Sequence, residues 1–155
     1  MSKTNAVRIL EARGINHSTV SYQVHEDKLD AVTVANEIGA EPGAVFKTLV
    51  ARGEKTGIIV FCIPANMDLN LKKAAAESGN KKVEMIKVKE ILDITGYIRG
   101  GCSPVGMKKA YPTYIDETAQ LSAEIYVSAG VRGMQAKLAP LDLCFVTEAK
   151  FVDLI

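Results

Sequence analysis

The chain has 155 residues, of which 48% are apolar and 24% are charged. These fractions are typical of a globular protein and exclude a disordered chain, a collagen and a coiled coil, and the length predicts a single domain over 1–155. The 19 basic and 18 acidic residues leave a net charge of +1, so the chain as a whole is neither a polycation nor an acidic tail.

Capping residues, side-chain alternation and turn residues divide the chain into five predicted helices and six predicted strands. Most of the predicted helices begin at a residue that can cap a helix and end at a glycine. In chain order the predicted elements are a helix from Ser2 or Thr4 to Arg13, a strand over 17–24, a helix from Asp30 to Gly39, strands over 45–51 and 57–63, a helix from Asn70 to Gly79, a helix over 87–95, strands over 113–116, 124–128 and 134–138, and a final helix opened by Pro140.

The order of these elements gives the fold class. Helices and strands are mixed without a regular strand–helix–strand alternation, which argues against a doubly wound fold. The strand over 57–63 is apolar throughout, which predicts that both of its faces are buried. The sequence therefore predicts an α+β fold, with a mixed β-sheet or a small barrel flanked by helices.

The three cysteines indicate the compartment. Cys62, Cys102 and Cys144 form no C-x-x-C pair, which argues against a disulfide framework or a zinc ribbon and favours a reducing compartment. The N-terminus lacks the apolar segment of a signal peptide, and the longest apolar run, 58–63, is far shorter than the roughly 20 residues of a membrane helix. We therefore expect a cytoplasmic protein that needs no membrane, metal or cofactor.

The near-neutral total charge hides an uneven distribution. Residues 47–109 carry 12 basic and 6 acidic side chains, a net charge of +6, whereas both flanking segments are net negative. The basic excess includes three lysine doublets, Lys72-Lys73, Lys81-Lys82 and Lys108-Lys109. If the fold gathers them on one face, that face would bind a polyanion in a salt-dependent way; the alternative is that they are ordinary solvated lysines.

The first candidate for chemistry is the glycine-rich loop 100–106. Gly100, Gly101 and Gly106 let the backbone approach a ligand closely, and successive N–H groups of such a loop can stabilise an oxyanion. The alternative is a tight turn that binds nothing. The loop is not a P-loop, because it lacks the G-x-x-x-x-G-K-[ST] pattern.

Three further candidates come from single residues. Lys47 interrupts an apolar strand and could clamp a phosphate or carboxylate if it faces a cleft, or could simply face water. Ser128, at the start of the turn 128–133, could line a pocket floor or an ordinary hairpin. Cys102 could be a nucleophile activated by His25, or a small buried thiol that fills space.

The absences also restrict the chemistry. Only two histidines occur, His17 and His25, and the sequence contains no H-x-x-x-H, G-x-S-x-G or paired-carboxylate motif. These absences argue against a His-assisted serine hydrolase and a zinc hydrolase.

Four longer motifs carry a family resemblance. They are VFKTLV at 45–50, LKKAAAESGNKKVEM at 71–85, GYIRGGCSPVGMKK at 96–109 and IYVSAGVRGMQ at 125–135. With them the chain resembles, over nearly its whole length, the Cys-tRNA(Pro) deacylase family of the YbaK/EbsC type. That family is related to the editing insertion domains of bacterial prolyl-tRNA synthetases and to free-standing Ala-tRNA(Pro) deacylases.

The resemblance implies a set of site residues. Gly100, Gly101 and Lys47 are implied as catalytic, with Lys47 beside the phosphate of the terminal adenosine. Ala129 stands where the family often has glycine. The implied substrate-binding residues are Tyr22, Lys47, Thr48, Cys102, Ser103, Ser128, Gly130 and Gln135.

The resemblance also implies a mechanism and partners. The substrate's own thiol would attack its ester carbonyl and leave as a cyclic thiolactone, so the protein would need no nucleophile, only positioning and backbone oxyanion stabilisation. The implied partners are the acceptor end of aminoacyl-tRNA and, in a weak ternary complex, prolyl-tRNA synthetase. Three alternatives stay open: an Ala-tRNA(Pro) deacylase that uses water, a non-catalytic module that binds tRNA or a synthetase, and a Cys102-dependent hydrolase.

Overall fold

The computed structural model describes residues 3–155 and contains the five predicted helices. Three short 3-10 turns, Pro42–Ala44, Val88–Glu90 and Glu117–Leu121, join the main elements. The helices are α1 (Asn5–Ala12), α2 (Ala31–Ile38), α3 (Leu71–Ser78), α4 (Ile91–Thr95) and α5 (Pro140–Thr147). The strands are β1 (His17–Ser21), β2 (Phe46–Gly53), β3 (Gly57–Pro64), β4 (Val83–Met85), β5 (Thr113–Asp116), β6 (Ile125–Ser128), β7 (Met134–Leu138) and β8 (Lys150–Val152).

The strands form two sheets. Five of them lie in the order β4-β2-β3-β5-β8, antiparallel around β2 and parallel from β3 to β8. The other three form an antiparallel sheet in the order β1-β7-β6. Across residues 3–155 the two sheets do not close into a barrel. The α+β fold with a mixed sheet is therefore confirmed, and the small-barrel alternative is wrong.

The central strand β3 divides the core. Its residues from Ile59 to Ile63 are fully buried, as the apolar run predicted. Because side chains alternate along a strand, Val60 and Cys62 pack in one cluster with α1 and α5, whereas Ile59, Phe61 and Ile63 pack in a second cluster with α3. Burial on both faces is thus confirmed.

The predicted helix caps form as the sequence indicated. Thr4 accepts the N–H of Val7 at 3.1 Å, Asp30 accepts that of Thr33 at 3.1 Å, and Asn70 accepts two N–H groups of α3. Gly39 and Gly79 end α2 and α3 in the left-handed conformation. The other proposed cap, Ser2, lies outside the described residues.

Several element boundaries differ from the prediction for local reasons. The first strand ends at Ser21 instead of Val24, because its partner β7 begins at Met134; past that point the pairing continues with a single bond, from the N–H of Tyr22 to the carbonyl oxygen of Gly133 at 2.9 Å. The helix predicted over 87–95 divides into a 3-10 turn and the short α4. The strands β4 and β8 were not predicted, because three residues are too few to show an alternating pattern.

None of the described helices has the length and apolar character needed to cross a membrane. The lysine doublets lie apart along the chain: Lys72-Lys73 is in α3, whereas Lys81-Lys82 and Lys108-Lys109 are in loops. Two of their six lysines form ion pairs, Lys73 with Asp153 at 2.9 Å and Lys82 with Glu84 at 3.1 Å. The other four are exposed and, within residues 3–155, form no ion pair; they are Lys72, Lys81, Lys108 and Lys109.

We expect Gly53→Ala to destabilise the protein by about 1–3 kcal/mol, as overpacking does in a filled core. A Cβ at Gly53 would collide with the Asn80 side chain, which is held in place because its Oδ1 accepts the N–H groups of Lys55 and Thr56. Thermal unfolding should show a melting temperature lower by several degrees. The matched control is Gly43→Ala, whose Cβ would meet nothing within 4 Å; equal melting temperatures for the two variants would contradict this packing.

Candidate functional site

A cleft of about 230 Å³ lies where the two sheets meet. Its walls come from the start of β2, the N-terminal turn of α2, the loop before Ser103 and the facing ends of β6 and β7. It is smaller than most small-molecule sites, which have volumes of roughly 300–1,000 Å³. The lining residues are Leu29, Asp30, Ala31, Val34, Val45, Phe46, Lys47, Thr48, Arg99, Gly100, Cys102, Ser128 and Gln135.

Lys47 supplies a positive charge inside this cleft. It lies on β2 opposite Ile63, is half-buried, and its Nζ donates to the carbonyl oxygen of Ala65 at 3.3 Å. Because Nζ has three protons, one carbonyl leaves donors for a ligand. Lys47 is among the residues that line the cleft, so it does not lie on the open side of the strand.

One carboxylate and a second cation accompany Lys47. Hydrogen bonds from the hydroxyl and N–H of Thr33 hold the pKa of Asp30 below its ordinary value, so Asp30 is ionised and committed to capping α2. Arg99 is exposed at the rim and forms no ion pair within residues 3–155. Two cations against one committed carboxylate favour an anionic ligand.

Two buried oxygens in the cleft have no partner. Gln135 is 5% exposed, and its Oε1 accepts no hydrogen bond within residues 3–155. The hydroxyl oxygen of Thr48 is also buried and has no hydrogen-bond partner within residues 3–155. The Cys62 thiol is opposite Thr48 in the β2–β3 pairing, but the two groups do not have hydrogen-bonding geometry. A buried polar group without a partner costs roughly 1–3 kcal/mol. The amide oxygen of Gln135 can only accept, so a ligand donor would satisfy it, whereas the Thr48 hydroxyl can donate or accept.

The glycine loop presents backbone donors at the cleft. Gly100 has a φ of +85°, and neither its N–H nor that of Cys102 donates to an acceptor within residues 3–155. The N–H of Gly101 is already used, since it donates to the carbonyl of Ile98 at 3.0 Å. The N–H groups of Gly100 and Cys102, two residues that line the cleft, are therefore free to donate to a ligand.

The cleft contains six of the ten residues implied by the resemblance. Ser128 lines it and accepts the N–H of Gly130 at 3.2 Å, which leaves its own O–H free to donate. The six are Lys47, Thr48, Gly100, Cys102, Ser128 and Gln135.

The other four implied residues lie beside the cleft. Gly101 packs against the backbone of the 131–132 segment. Ser103 is buried and accepts the N–H of Val105 at 3.2 Å. Gly130, with a φ of +102°, packs against the Tyr97 ring. Tyr22 lines a narrow crevice that adjoins the cleft at Gly100 and Leu29.

Sequence reasoning missed the contribution of α2. Leu29, just before this helix, and Ala31 and Val34 in its first turn form one wall of the cleft. Asp30 was predicted as a cap, but no local pattern showed what that helix end faces. Arg99 belongs to the motif at 96–109, but the sequence analysis gave it no role. Its positive charge next to Gly100 was the signal that could have identified it.

Cys102 has the character of a thiol and not of a thiolate. Burial raises its pKa to about 11. The proposed base, His25, lies in the adjoining crevice, where its Nε2 is 2.8 Å from Glu37. The described residues also contain no group of three His, Cys, Asp or Glu side chains that could hold a metal ion.

Comparison with known proteins indicates the family of this chain. The model of the aminoacyl-tRNA editing domain matches residues 25–145. EbsC of Enterococcus faecalis, a candidate Cys-tRNA(Pro)/Cys-tRNA(Cys) deacylase, is 50% identical over 152 residues, which cover 98% of this chain and 93% of EbsC.

Solved structures show the same fold. A candidate trans-editing enzyme for prolyl-tRNA synthetase superposes with a TM-score of 0.85 at 29% identity, covering 99% of this chain and 98% of its own. A hypothetical protein at 21% identity superposes with a TM-score of 0.88, which supports the fold alone. The family predicted from the sequence motifs is confirmed: the chain belongs to the aminoacyl-tRNA editing domain family, the deacylases that remove amino acids from mischarged tRNA.

Proposed function

We propose that this editing enzyme removes cysteine from mischarged Cys-tRNA(Pro), and that residues 1–155 act as one editing domain on the acceptor end. The observation that carries the proposal is the content of one small cleft: the Lys47 ammonium, the free Gly100 N–H and the unpartnered Gln135 Oε1. The name of the EbsC relative supports cysteine as the amino acid and extends the proposal to Cys-tRNA(Cys).

These three groups match three parts of an aminoacyl-adenosine. The phosphate of the terminal nucleotide is an anion for Lys47, as the family resemblance also implies. The ester carbonyl is an acceptor for the N–H of Gly100. The α-ammonium of the amino acid is a donor for Oε1 of Gln135, which would otherwise remain buried without a partner. The small cleft volume suits this aminoacyl end and not a longer stretch of tRNA.

The proposed reaction uses the thiol of the substrate. The cysteine Sγ attacks its own ester carbonyl, a C–S bond forms, and the C–O bond to the ribose breaks. The thiol proton passes to solvent, the ribose oxygen takes up a proton, and a cyclic thiolactone leaves. Charge develops on the carbonyl oxygen in the transition state, where the backbone donors of Gly100 and Cys102 stabilise it.

The role of the protein in this scheme is positioning. An intramolecular attack is fast only when the reacting atoms are held close and aligned. Lys47 and Gln135 would fix the two ends of the substrate, and the hydroxyls of Thr48 and Ser128 would fill the space between them. No protein nucleophile is required, which agrees with the raised pKa of Cys102.

We propose that the protein contacts the tRNA mainly through the phosphates of its backbone. The four lysines of the doublets that form no ion pair within residues 3–155, Lys72, Lys81, Lys108 and Lys109, provide charge for a backbone contact. Such contacts carry little sequence information. We therefore propose that tRNA identity comes from prolyl-tRNA synthetase in a weak ternary complex.

We expect rapid cleavage of Cys-tRNA(Pro), with Ser-tRNA(Pro) and Ala-tRNA(Pro) spared, when the release of each labelled amino acid is followed. Serine is nearly isosteric with cysteine but is a much poorer internal nucleophile at neutral pH. Lys47→Met should lower the rate for cysteine at least tenfold, whereas Lys55→Met, in the turn at the other end of β2, should leave it unchanged.

Comparable loss of alanine would make water the nucleophile and would contradict the cysteine assignment. Salt-sensitive tRNA binding with no loss of any ester would instead support a non-catalytic module.

We expect Cys102→Ala to retain deacylation, because the thiol is not the nucleophile. With a pKa of about 11, its thiolate fraction at pH 8 is about a hundredfold smaller than that of a thiol with the ordinary value of 9.0. Alkylation by iodoacetamide, followed by mass spectrometry, should be correspondingly slow at pH 8 and should accelerate as the pH rises toward 11. Loss of activity in Cys102→Ala equal to that in Lys47→Met would support the Cys102-dependent hydrolase.

A further inference from the structure

Arg132 joins three segments that surround the cleft. Its Nε donates to the carbonyl oxygen of Arg99 at 2.8 Å, and its Nη1 lies 3.2 Å from the Glu26 carboxylate. It therefore connects the 128–133 turn, the glycine loop and the segment that leads into α2. We propose, on the basis of the proposed function, that Arg132 is a positioning residue that aims the N–H of Gly100 into the cleft.

The peptide bond between Arg99 and Gly100 carries this argument. Its carbonyl oxygen and its N–H belong to one planar trans unit, so the two point in opposite directions. Arg132 lies in the adjoining crevice and does not line the cleft, whereas Gly100 lines both. A bond that holds the Arg99 oxygen toward Arg132 therefore directs the Gly100 N–H away from Arg132, toward the cleft.

This peptide needs an external anchor. Gly100 has a φ of +85° and no side chain, so its backbone has more accessible conformations than any other residue would have. Arg132 packs closely against both glycines. A Cβ at Gly100 would lie 3.2 Å from Nε of Arg132, and a Cβ at Gly101 would lie 3.0 Å from the Arg132 backbone nitrogen. The two glycines thus permit the contact, and the guanidinium fixes the orientation.

The two hydrogen bonds of Arg132 are not equivalent. The Glu26 side chain is 80% exposed and that of Arg132 is 26% exposed, so their ion pair is on the outside and is weakened by solvent. The bond to the Arg99 carbonyl is shorter and charge-assisted. A substitution at Glu26 therefore removes the ion pair with Arg132 but leaves the hydrogen bond between Arg132 and the Arg99 carbonyl in place.

The test compares Arg132→Met, which keeps an apolar stem but removes both bonds, with Glu26→Gln, which removes the charge of the outer partner. We expect kcat for Cys-tRNA(Pro) to fall at least tenfold in Arg132→Met with little change in KM, and to stay within threefold of the wild type in Glu26→Gln. In Arg132→Ala, added guanidinium should restore part of kcat, and sodium chloride at equal ionic strength should not.

A second readout does not depend on activity. The 15N order parameter of the Gly100 amide should fall in Arg132→Met and stay at the wild-type value in Glu26→Gln. Unchanged kcat and order parameter in Arg132→Met, or an equal loss of both in Glu26→Gln, would overturn the positioning role. If the wild type cleaves no ester, the proposed function fails, and the order parameter alone then decides whether Arg132 holds this peptide.

Discussion

The junction between the two sheets is the contact on which the cleft depends. Val45, just before β2, forms a parallel bridge with Tyr126 of β6, and its carbonyl accepts the N–H of Ala65 at 2.7 Å. Ala35 of α2 packs on the same point, in a small apolar cluster with Val45 and Ala65. This one junction therefore brings the start of α2, the first residues of β2 and the facing ends of β6 and β7 to the same place.

The chemistry of the cleft follows from what this junction leaves unpaired. Strand pairing uses the backbone groups of Lys47, Thr48 and Gln135, but their side chains project into a space with few protein partners. The result is a site rich in donors and acceptors and poor in nucleophiles, since the nearby Cys102 is held as a thiol by burial. Such a site can position a reactive substrate and stabilise a developing charge, which is what an intramolecular reaction requires.

Local sequence signals predicted most of the helices and strands because those signals act within a few residues. The caps at Thr4, Asp30 and Asn70 and the apolar run of β3 are examples. Strand pairing between distant segments could not be predicted from local signals. The short strands β4 and β8 form because they pair with the edges of β2 and β5.

The sequence predicted only part of the candidate site, because the site also depends on contacts between segments that are distant in sequence. Motif resemblance indicated Lys47, Gly100 and Gln135, which line the cleft, together with Gly101 and Ser103, which lie beside it. A motif shows that residues belong together but not which of them face the ligand, because that depends on the contacts between segments distant in sequence. Residues 29–34 reached the cleft wall through the packing of α2 against the sheet junction, which no local pattern shows.

The most direct test of this account is the binding of a stable amide analogue, 3′-cysteinylamido-3′-deoxyadenosine 5′-phosphate, measured by calorimetry beside the analogue without the phosphate. The account predicts that removing the phosphate weakens binding to the wild type at least tenfold. It predicts a much smaller loss in Lys47→Met, because the phosphate and the ammonium act as a pair. Equal losses in the two proteins would show that Lys47 does not contact the phosphate and would contradict the placement of the substrate in the cleft.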